Sequence, residues 1–350
     1  MIGCCETLQY SSRLFATSLL RGLILFVVLL RMTLAGEPEW VPVELPGNSP
    51  DKKTGLGSVA TVFEIMRHEV TSGQYVEFLR AVASQEDPHG LWVRAMGDHV
   101  ITDLGQGGIR MDVPQCIYRD GMPGNWSYRV AEGWENRPVI FVTCFSAMRY
   151  ANWMHNGRGQ AGTPQGLTES GAYDMSKRGE VTREIGAGVW IPSDDEWYKA
   201  AYFQPEAAGG PPGDYWRFPM SSMERPEKAD AGSELTRAAV FSRGFGGILP
   251  VGSYPKAKSP WGAQDMGGNV WEWTDTKFNG SKRVMRGGAA AHTWQKLDKA
   301  VRSNASPDRW YPDTGFRLAR KPLAGKPVQP RTRLDGGRAK VGLTQIEVSP

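Results

Sequence analysis

Apolar positions along the chain recur at two spacings, and together they predict an α+β fold. Three segments repeat apolar residues at the helical spacing of three and four. The first follows a capping-box pattern at Thr71 and Gln74, and the third follows one at Ser193 and Glu196. Ser146 is the predicted cap of the middle segment. The three stripes are Tyr75, Phe78, Leu79 and Val82; Ala147, Tyr150, Ala151 and Met154; and Trp197, Ala200 and Ala201.

Short apolar runs between turn-rich segments predict the strands. These runs are Ala60–Met66, Pro138–Cys144, Val189–Ile191, Val270–Trp273, Arg283–Arg286 and Gly315–Ala319. Residues 84–136 show weak periodicity and indicate a long irregular insertion, and 204–260 indicate mostly loop. Short strands with a few short helices favour one domain over residues 56–320, preceded by a lead-in at 37–55.

Composition adds a second constraint, because two residue types are unusually frequent. Glycine accounts for 42 of the 350 residues and tryptophan for 13. The glycine share is about 12%, against about 7% in an average protein. Frequent tight turns with large rings between them favour an irregular globular fold over a helical bundle, a coiled coil or a repeat array.

The N-terminus has the features of an export signal. The apolar run 22–30 follows Arg13 and Arg21, and small residues precede Gly36. The run is far shorter than the roughly 20 residues needed to span a bilayer. Residues 1–36 are therefore predicted to be a signal peptide, with the protein exported to the periplasm or the extracellular space. Arg31 directly after the run is atypical, and an uncleaved N-terminal anchor is the alternative.

Charge and cysteine content describe the chain that remains after residue 36. Removing the leader takes three arginines and one glutamate from 41 basic and 37 acidic residues, leaving a net charge of +2. This balance argues against a nucleic-acid partner, which calls for a basic patch or stripe. Cys116 and Cys144 remain, and the sequence leaves open whether they pair or stay as thiols. Residues 321–350 are rich in Pro, Gly and Arg and predict a flexible basic tail.

Six segments in a fixed order carry a resemblance to a known family. They are Glu69-Val70-Thr71, Pro138-Val139, Ile191-Pro192-Ser193, Asp265 to Trp273, Arg286-Gly287-Gly288 and Gly315-Phe316-Arg317. In this order they resemble the sulfatase-modifying factor family, whose founding activity is the generation of formylglycine. The resemblance covers nearly the whole chain after the leader. It implies an irregular C-type-lectin-like fold with little regular secondary structure.

The resemblance also implies a structural calcium ion at the Gly-Gly turn. In the family this segment supplies a side chain, two backbone carbonyls and a carboxylate. The matching positions are Asp265, Gly268, Val270 and Glu272, and all four match in type. Calcium prefers six to eight oxygen ligands in a bent chain, which suits such a turn. A plain hairpin with Glu272 facing solvent is the alternative interpretation.

The resemblance argues against copper chemistry in this chain. Family members oxidise a substrate cysteine with oxygen, using two active-site cysteines that hold copper. His292 occupies the first cysteine position, the second falls near Leu297, and Ala289 replaces a serine. No cysteine follows Cys144. Soft thiolates suit Cu(I), and one histidine without them is a poor site.

Two other functions stay open at this stage. A divergent non-haem iron oxidoreductase would need about two histidines and a carboxylate, and none of the five histidines shows a ligand spacing. His292 is the candidate catalytic residue, with an exposed loop histidine as the alternative. A lectin-like module would bind a carbohydrate, peptide or protein in a groove lined by Trp271, Trp294, Trp310 and Arg286, although such residues also serve as core and loop anchors.

Overall fold

The structure, a computed structural model, describes residues 36–98, 100–101, 111–159 and 166–323. The predicted signal peptide and most of the predicted tail lie outside the described residues. In the described chain no helix has the length and apolar character needed to cross a membrane.

The secondary structure consists of short elements, as expected for α+β. The strands are β1 (Trp40–Val43), β2 (Phe63–Met66), β3 (Val100–Ile101), β4 (Met111–Asp112), β5 (Ile117–Met122), β6 (Asn125–Val130), β7 (Val189–Trp190), β8 (Trp271–Lys277), β9 (Arg283–Arg286), β10 (Ser303–Ala305), β11 (Thr314–Gly315) and β12 (Ala319–Arg320). The α-helices are α1 (Ser72–Val82), α2 (Cys144–His155), α3 (Gly166–Glu169) and α4 (Asp194–Tyr202). Short 3₁₀ helices cover Arg94–Met96, Met175–Glu180, Glu206–Ala208, Phe245–Gly247 and Trp294–Leu297.

One four-stranded sheet joins the two ends of the described chain, in the order β1-β2-β12-β7. β12 pairs antiparallel with both of its neighbours, so Ala319 lies opposite Ile65 on one side and Trp190 on the other. β1 belongs to the segment 37–55 that the sequence predicts as a lead-in. The folded structure therefore begins before the predicted boundary at residue 56.

The second four-stranded sheet, ordered β10-β9-β8-β11, positions the candidate site. β8 and β9 pair antiparallel, with Glu272 opposite Arg286. β11 pairs with β8 in parallel, with Thr314 opposite Trp271. Three of these four positions are buried polar or charged residues, and Trp271 is buried beside them. The edge formed by β8 and β11 thus brings residues 271 and 314 together from distant parts of the chain.

The residues that cap the helices can be compared directly with the caps predicted from the sequence. The capping boxes at Thr71/Gln74 and Ser193/Glu196 are both confirmed. The prediction of Ser146 as a cap is wrong, because α2 begins earlier and Thr143 accepts the N–H of Ser146 at 2.9 Å.

The predicted strand at 138–144 is also wrong. Phe141 has a φ of 61°, which is left-handed, and this interrupts the extended run. α2 then begins at Cys144. The predicted strand at 315–319 is split into two short strands, β11 and β12, which belong to different sheets.

The insertion at 84–136 contains a hairpin that the sequence did not predict, formed by β5 and β6. Its Arg119 guanidinium lies between the rings of Trp92 and Trp126, at 4.0 and 4.3 Å from their centroids. A cation–π contact of this kind contributes about 0.5–1 kcal/mol at an exposed site.

Candidate functional site

A buried ion pair lies at the centre of the segment predicted to bind calcium. Arg317 donates from Nε to Oε2 of Glu272 at 2.6 Å and from Nη2 to Oε1 at 2.7 Å. Trp197 Nε1 donates to the same Oε2 at 2.8 Å. Neither charged side chain is exposed. Glu272 is therefore not on a solvated face, and its two oxygens accept three of the roughly four hydrogen bonds that a carboxylate can take.

A second buried carboxylate, Glu69, faces the same arginine and lacks a full set of partners. Its Oε1 accepts from Asn269 Nδ2 at 3.3 Å, while Oε2 has no hydrogen-bond partner and lies 3.9 Å from Arg317 Nη2. Burial, and then the neighbouring Asp265 carboxylate, raise the pKa of Glu69 well above its usual range. A buried oxygen without a partner costs free energy, so this atom calls for a ligand.

Asp265 completes the acidic cluster. Its Oδ2 accepts the N–H of Gly252 at 2.6 Å, and its φ of 56° is left-handed. It lines a small pocket together with Met220, Tyr254 and Gly267. Gly268 follows with a φ of +89°, and a Cβ there would lie 2.2 Å from the carbonyl oxygen of Val240. The turn thus needs glycine at 268 to approach the neighbouring backbone.

These groups fit a divalent cation in charge. Three acidic side chains, Glu69, Asp265 and Glu272, lie near the Arg317 guanidinium, and because the pKa of Glu69 is raised, the cluster reaches a charge of −2 only when that carboxyl ionises. Among the described residues, no three His, Cys, Asp or Glu side chains form a metal site on their own. A calcium ion here would therefore also need the backbone carbonyls that the family resemblance implies at Gly268 and Val270.

His292 lies over the edge where β8 and β11 pair. Trp271 Nε1 donates to His292 Nδ1 at 3.2 Å, and the two rings meet edge to face at 5.6 Å. Asp313 Oδ2 lies 3.6 Å from the same nitrogen. Burial raises the pKa of the Asp313 carboxyl. Trp271, His292 and Asp313 come from three separate segments, and together they are called the His292 site. The histidine side chain is 36% exposed.

The predicted groove residues do not all lie at the surface. Trp294 and Trp310 are half-buried, and Trp271 is buried. Trp294 packs on Phe218 with ring centroids 6.1 Å apart. The prediction does not hold for Arg286, because its guanidinium is fully buried. It pairs with Asp194 and donates to the carbonyl oxygens of Lys299 and Val301.

A match to a family model identifies the family of this chain. The model described as "Sulfatase-modifying factor enzyme 1-like domain" matches residues 48–322. The chain belongs to this sulfatase-modifying factor family. The match confirms the resemblance read from the six segments and the predicted α+β fold of the formylglycine-generating-enzyme type.

Relatives with different names share the sulfatase-modifying factor domain. The protein "Inactive C-alpha-formylglycine-generating enzyme 2" of Mus musculus is 25% identical over 330 residues, which cover 85% of this chain and 91% of that protein. The hercynine oxygenase of Mycolicibacterium smegmatis is 31% identical over 208 residues, 53% of this chain and 37% of that protein. The chain thus spans about a third of the length of the hercynine oxygenases it matches. A solved structure of CarF covers 82% of this chain and 99% of its own, with 19% identity and a TM-score of 0.47.

Two of the four cysteines of this chain, Cys116 and Cys144, fall among the described residues. Both Cys116 and Cys144 are buried free thiols. Burial raises the pKa of each thiol to about 12. Cys144 Sγ lies 3.8 Å from the carbonyl oxygen of Thr274, which is in the middle of β8. Neither thiol is poised as a thiolate.

Two residues of these sites were missed by sequence reasoning. The sequence places Glu69 in a family motif without marking it as a ligand, and it gives no signal for Asp313. Glu69 is 196 positions before Asp265, so only a folded structure brings them together. The available signal is the position of Glu69 directly before the strand-to-helix junction at Thr71, within the segment Glu69-Val70-Thr71 that carries part of the family resemblance.

Proposed function

We propose that this protein is a calcium-stabilised member of the sulfatase-modifying factor family that binds a ligand at the His292 site and does not oxidise cysteine with copper. The observation that carries the proposal is the hydrogen-bonded His292, which the family resemblance aligns with the first copper-binding cysteine. A ligand held there would be a peptide, protein or carbohydrate, with Trp294 and Trp310 as half-buried rings on the adjoining loops.

The distribution of thiols supports the loss of copper chemistry. Cu(I) binding in the family depends on thiolates, because soft sulfur ligands match this soft ion. In this chain both described thiols are buried with a pKa of about 12, and no cysteine follows Cys144. The relative of Mus musculus named as an inactive formylglycine-generating enzyme covers most of the chain and is consistent with such a loss.

A peptide oxidation assay tests this proposal. The purified protein is incubated with a sulfatase-type Cys-x-Pro-x-Arg peptide, copper and oxygen, beside the formylglycine-generating enzyme of Thermomonospora curvata as the positive control. Mass spectrometry should show formylglycine with the control enzyme and unchanged peptide with this protein. Conversion of the cysteine by this protein would refute the proposal.

Calcium is proposed to be held by the acidic cluster at the Gly-Gly turn. Glu69, Asp265 and Glu272 would supply carboxylate oxygens, and Gly268 and Val270 would supply carbonyls. When bound, the ion supplies positive charge that offsets the excess of carboxylates. The partnerless oxygen of Glu69 supports this assignment.

Calcium removal has a direct readout, because a ligand that binds only the folded state raises stability by RT ln(1 + [L]/Kd). A chelator should lower the melting temperature, and elemental analysis should find calcium in proportion to protein. Glu69→Gln should weaken calcium binding, whereas Glu135→Gln, at an exposed position, should not. An unchanged melting temperature together with absent calcium would refute the site.

An iron oxidoreductase is the second candidate, favoured by the match to the hercynine oxygenases. In that case protein purified without chelators or affinity nickel should carry iron that is lost in His292→Ala. Calcium without iron or copper would favour the binding module.

Export by residues 1–36 is part of the proposal. N-terminal sequencing of protein recovered outside the cytoplasm tests this part. The sequenced protein is expected to begin at or near Glu37. A retained residue 1 on membrane-bound protein would indicate the N-terminal anchor instead.

A further inference from the structure

Two groups compete for one nitrogen of His292. Trp271 Nε1 carries a hydrogen and lies 3.2 Å from Nδ1, so this contact requires a lone pair on Nδ1. Asp313 Oδ2 lies 3.6 Å from Nδ1, and an ionised carboxylate there would require a hydrogen on Nδ1. Both conditions cannot hold at the same time in a neutral ring. The shorter contact belongs to the tryptophan.

The choice of partner decides what His292 presents to a ligand. A neutral imidazole carries one hydrogen, and the hydrogen bond made by one nitrogen decides which nitrogen carries it. When Trp271 donates to Nδ1, the hydrogen is on Nε2. Within the described part of the chain Nε2 makes no hydrogen bond, and the side chain is 36% exposed.

We propose that Trp271 fixes His292 in the Nε2–H form, which makes the His292 site a hydrogen-bond donor for a neutral oxygen acceptor such as a peptide carbonyl. This inference rests on the proposed function, in which the site binds a ligand. In this form His292 is a donor to the ligand and not a general base, because its lone pair is directed at Trp271.

Asp313 favours a neutral ligand over an anionic one. Its side chain is 11% exposed, and its Oδ2 lies 3.6 Å from the imidazole Nδ1. Thr314 Oγ1 lies 3.3 Å from its Oδ1, so one oxygen is engaged and the other faces the ring. An ionised carboxylate beside the imidazole opposes the approach of a second negative charge to this partly buried site. Half-buried aromatic residues on the same loops, Trp294 and Tyr311, suit an uncharged peptide segment.

Nitrogen NMR of the imidazole rings tests the tautomer. The chain has five histidines, so ¹⁵N-histidine labelling gives a small set of signals, and the His292 signals are those lost in His292→Ala. At a pH where its ring is neutral, wild-type His292 should show the Nε2–H form. A predominant Nδ1–H form would overturn the proposal, because Asp313 would then be the partner and His292 a candidate base.

Two variants separate positioning from folding. Trp271→Phe removes the indole N–H and leaves Asp313 as the remaining partner, so the population should move toward Nδ1–H. Asp313→Asn should keep the Nε2–H form, since the Trp271 contact is unchanged. Backbone amide spectra establish that each variant is folded. If the Nε2–H signal is unchanged in a folded Trp271→Phe protein, the proposed role of Trp271 in fixing the tautomer is refuted. A purely structural role of Trp271 would not change the tautomer.

The ligand class is tested with two small probes. N-acetylglycine methylamide offers neutral carbonyls, and acetate offers an anion. The neutral probe should shift the His292 signals in a saturable way, and acetate should bind more weakly. Tighter binding of acetate, or no saturable shift with the neutral probe, would overturn the ligand class. The peptide oxidation assay does not depend on this result, so the two proposals can fail separately.

Discussion

Arg317 donates to both carboxylate oxygens of Glu272, and both side chains are fully buried. The pair ties β8 to the segment that enters β12, and so connects the two four-stranded sheets. Arg317 also donates to the carbonyl oxygens of Met66, Arg67 and Gln264. One guanidinium thus joins three distant parts of the chain.

Removing this arginine should destabilise the fold strongly. Arg317→Met leaves the buried Glu272 without its partner, and breaking such a pair costs about 3–5 kcal/mol. Denaturant unfolding measures the loss. The control is Arg94→Ala, which breaks an ion pair whose arginine is 86% exposed and should cost about 0.5 kcal/mol or less. Similar losses in the two variants would contradict the central role of Arg317.

Gly268 should tolerate substitution far less than another left-handed glycine. Gly47 and Gly268 both have positive φ, but a Cβ at 47 meets nothing within 4 Å, while one at 268 would collide with Val240. Gly47→Ala should cost about 1–2 kcal/mol from the backbone alone. Gly268→Ala should cost clearly more, as measured by thermal unfolding. Equal losses of stability in the two variants would show that the turn can move away from its β-bridge contact with Val240.

Asp275 should make stability depend on pH. Burial raises its pKa from 3.8 to about 6 despite the nearby Arg183. The folded state therefore binds the proton more tightly, so this contribution to stability is complete below the unfolded pKa and is lost as the pH rises through about 6. Asp275→Asn mimics the protonated form. Its stability relative to wild type should rise between about pH 4 and pH 7, and a constant difference would contradict the raised pKa.

The two core cysteines should be unreactive in the native protein. Cys116 and Cys144 are buried, and a pKa of about 12 leaves almost no thiolate at neutral pH. Iodoacetamide followed by mass spectrometry should label neither residue until denaturant unfolds the chain. Labelling of either thiol in the native protein would contradict this prediction and show that the core around that thiol opens locally.

Structural features that depend on residues close in the sequence could be predicted, whereas contacts between residues distant in the sequence could not. The capping boxes at Thr71 and Ser193 were predictable because the pattern spans four residues. The strand expected at 138–144 failed because apolar content does not report the left-handed φ of Phe141. At the candidate sites, Asp265 and His292 could be proposed from the family motif. Asp313 could not, since its partner His292 belongs to another loop.

The order of strands in the first sheet has a consequence for synthesis of the protein. β12 lies between β2 and β7, and it is the last described strand of the chain. Some 250 residues must therefore be translated after the pair β1-β2 before its sheet neighbour β12 has been synthesised. A nascent or truncated chain ending before Ala319 exposes the open edges of β2 and β7, and it also lacks the partner for Glu272 if it ends before Arg317. Completion of the first sheet is thus linked to synthesis of β12.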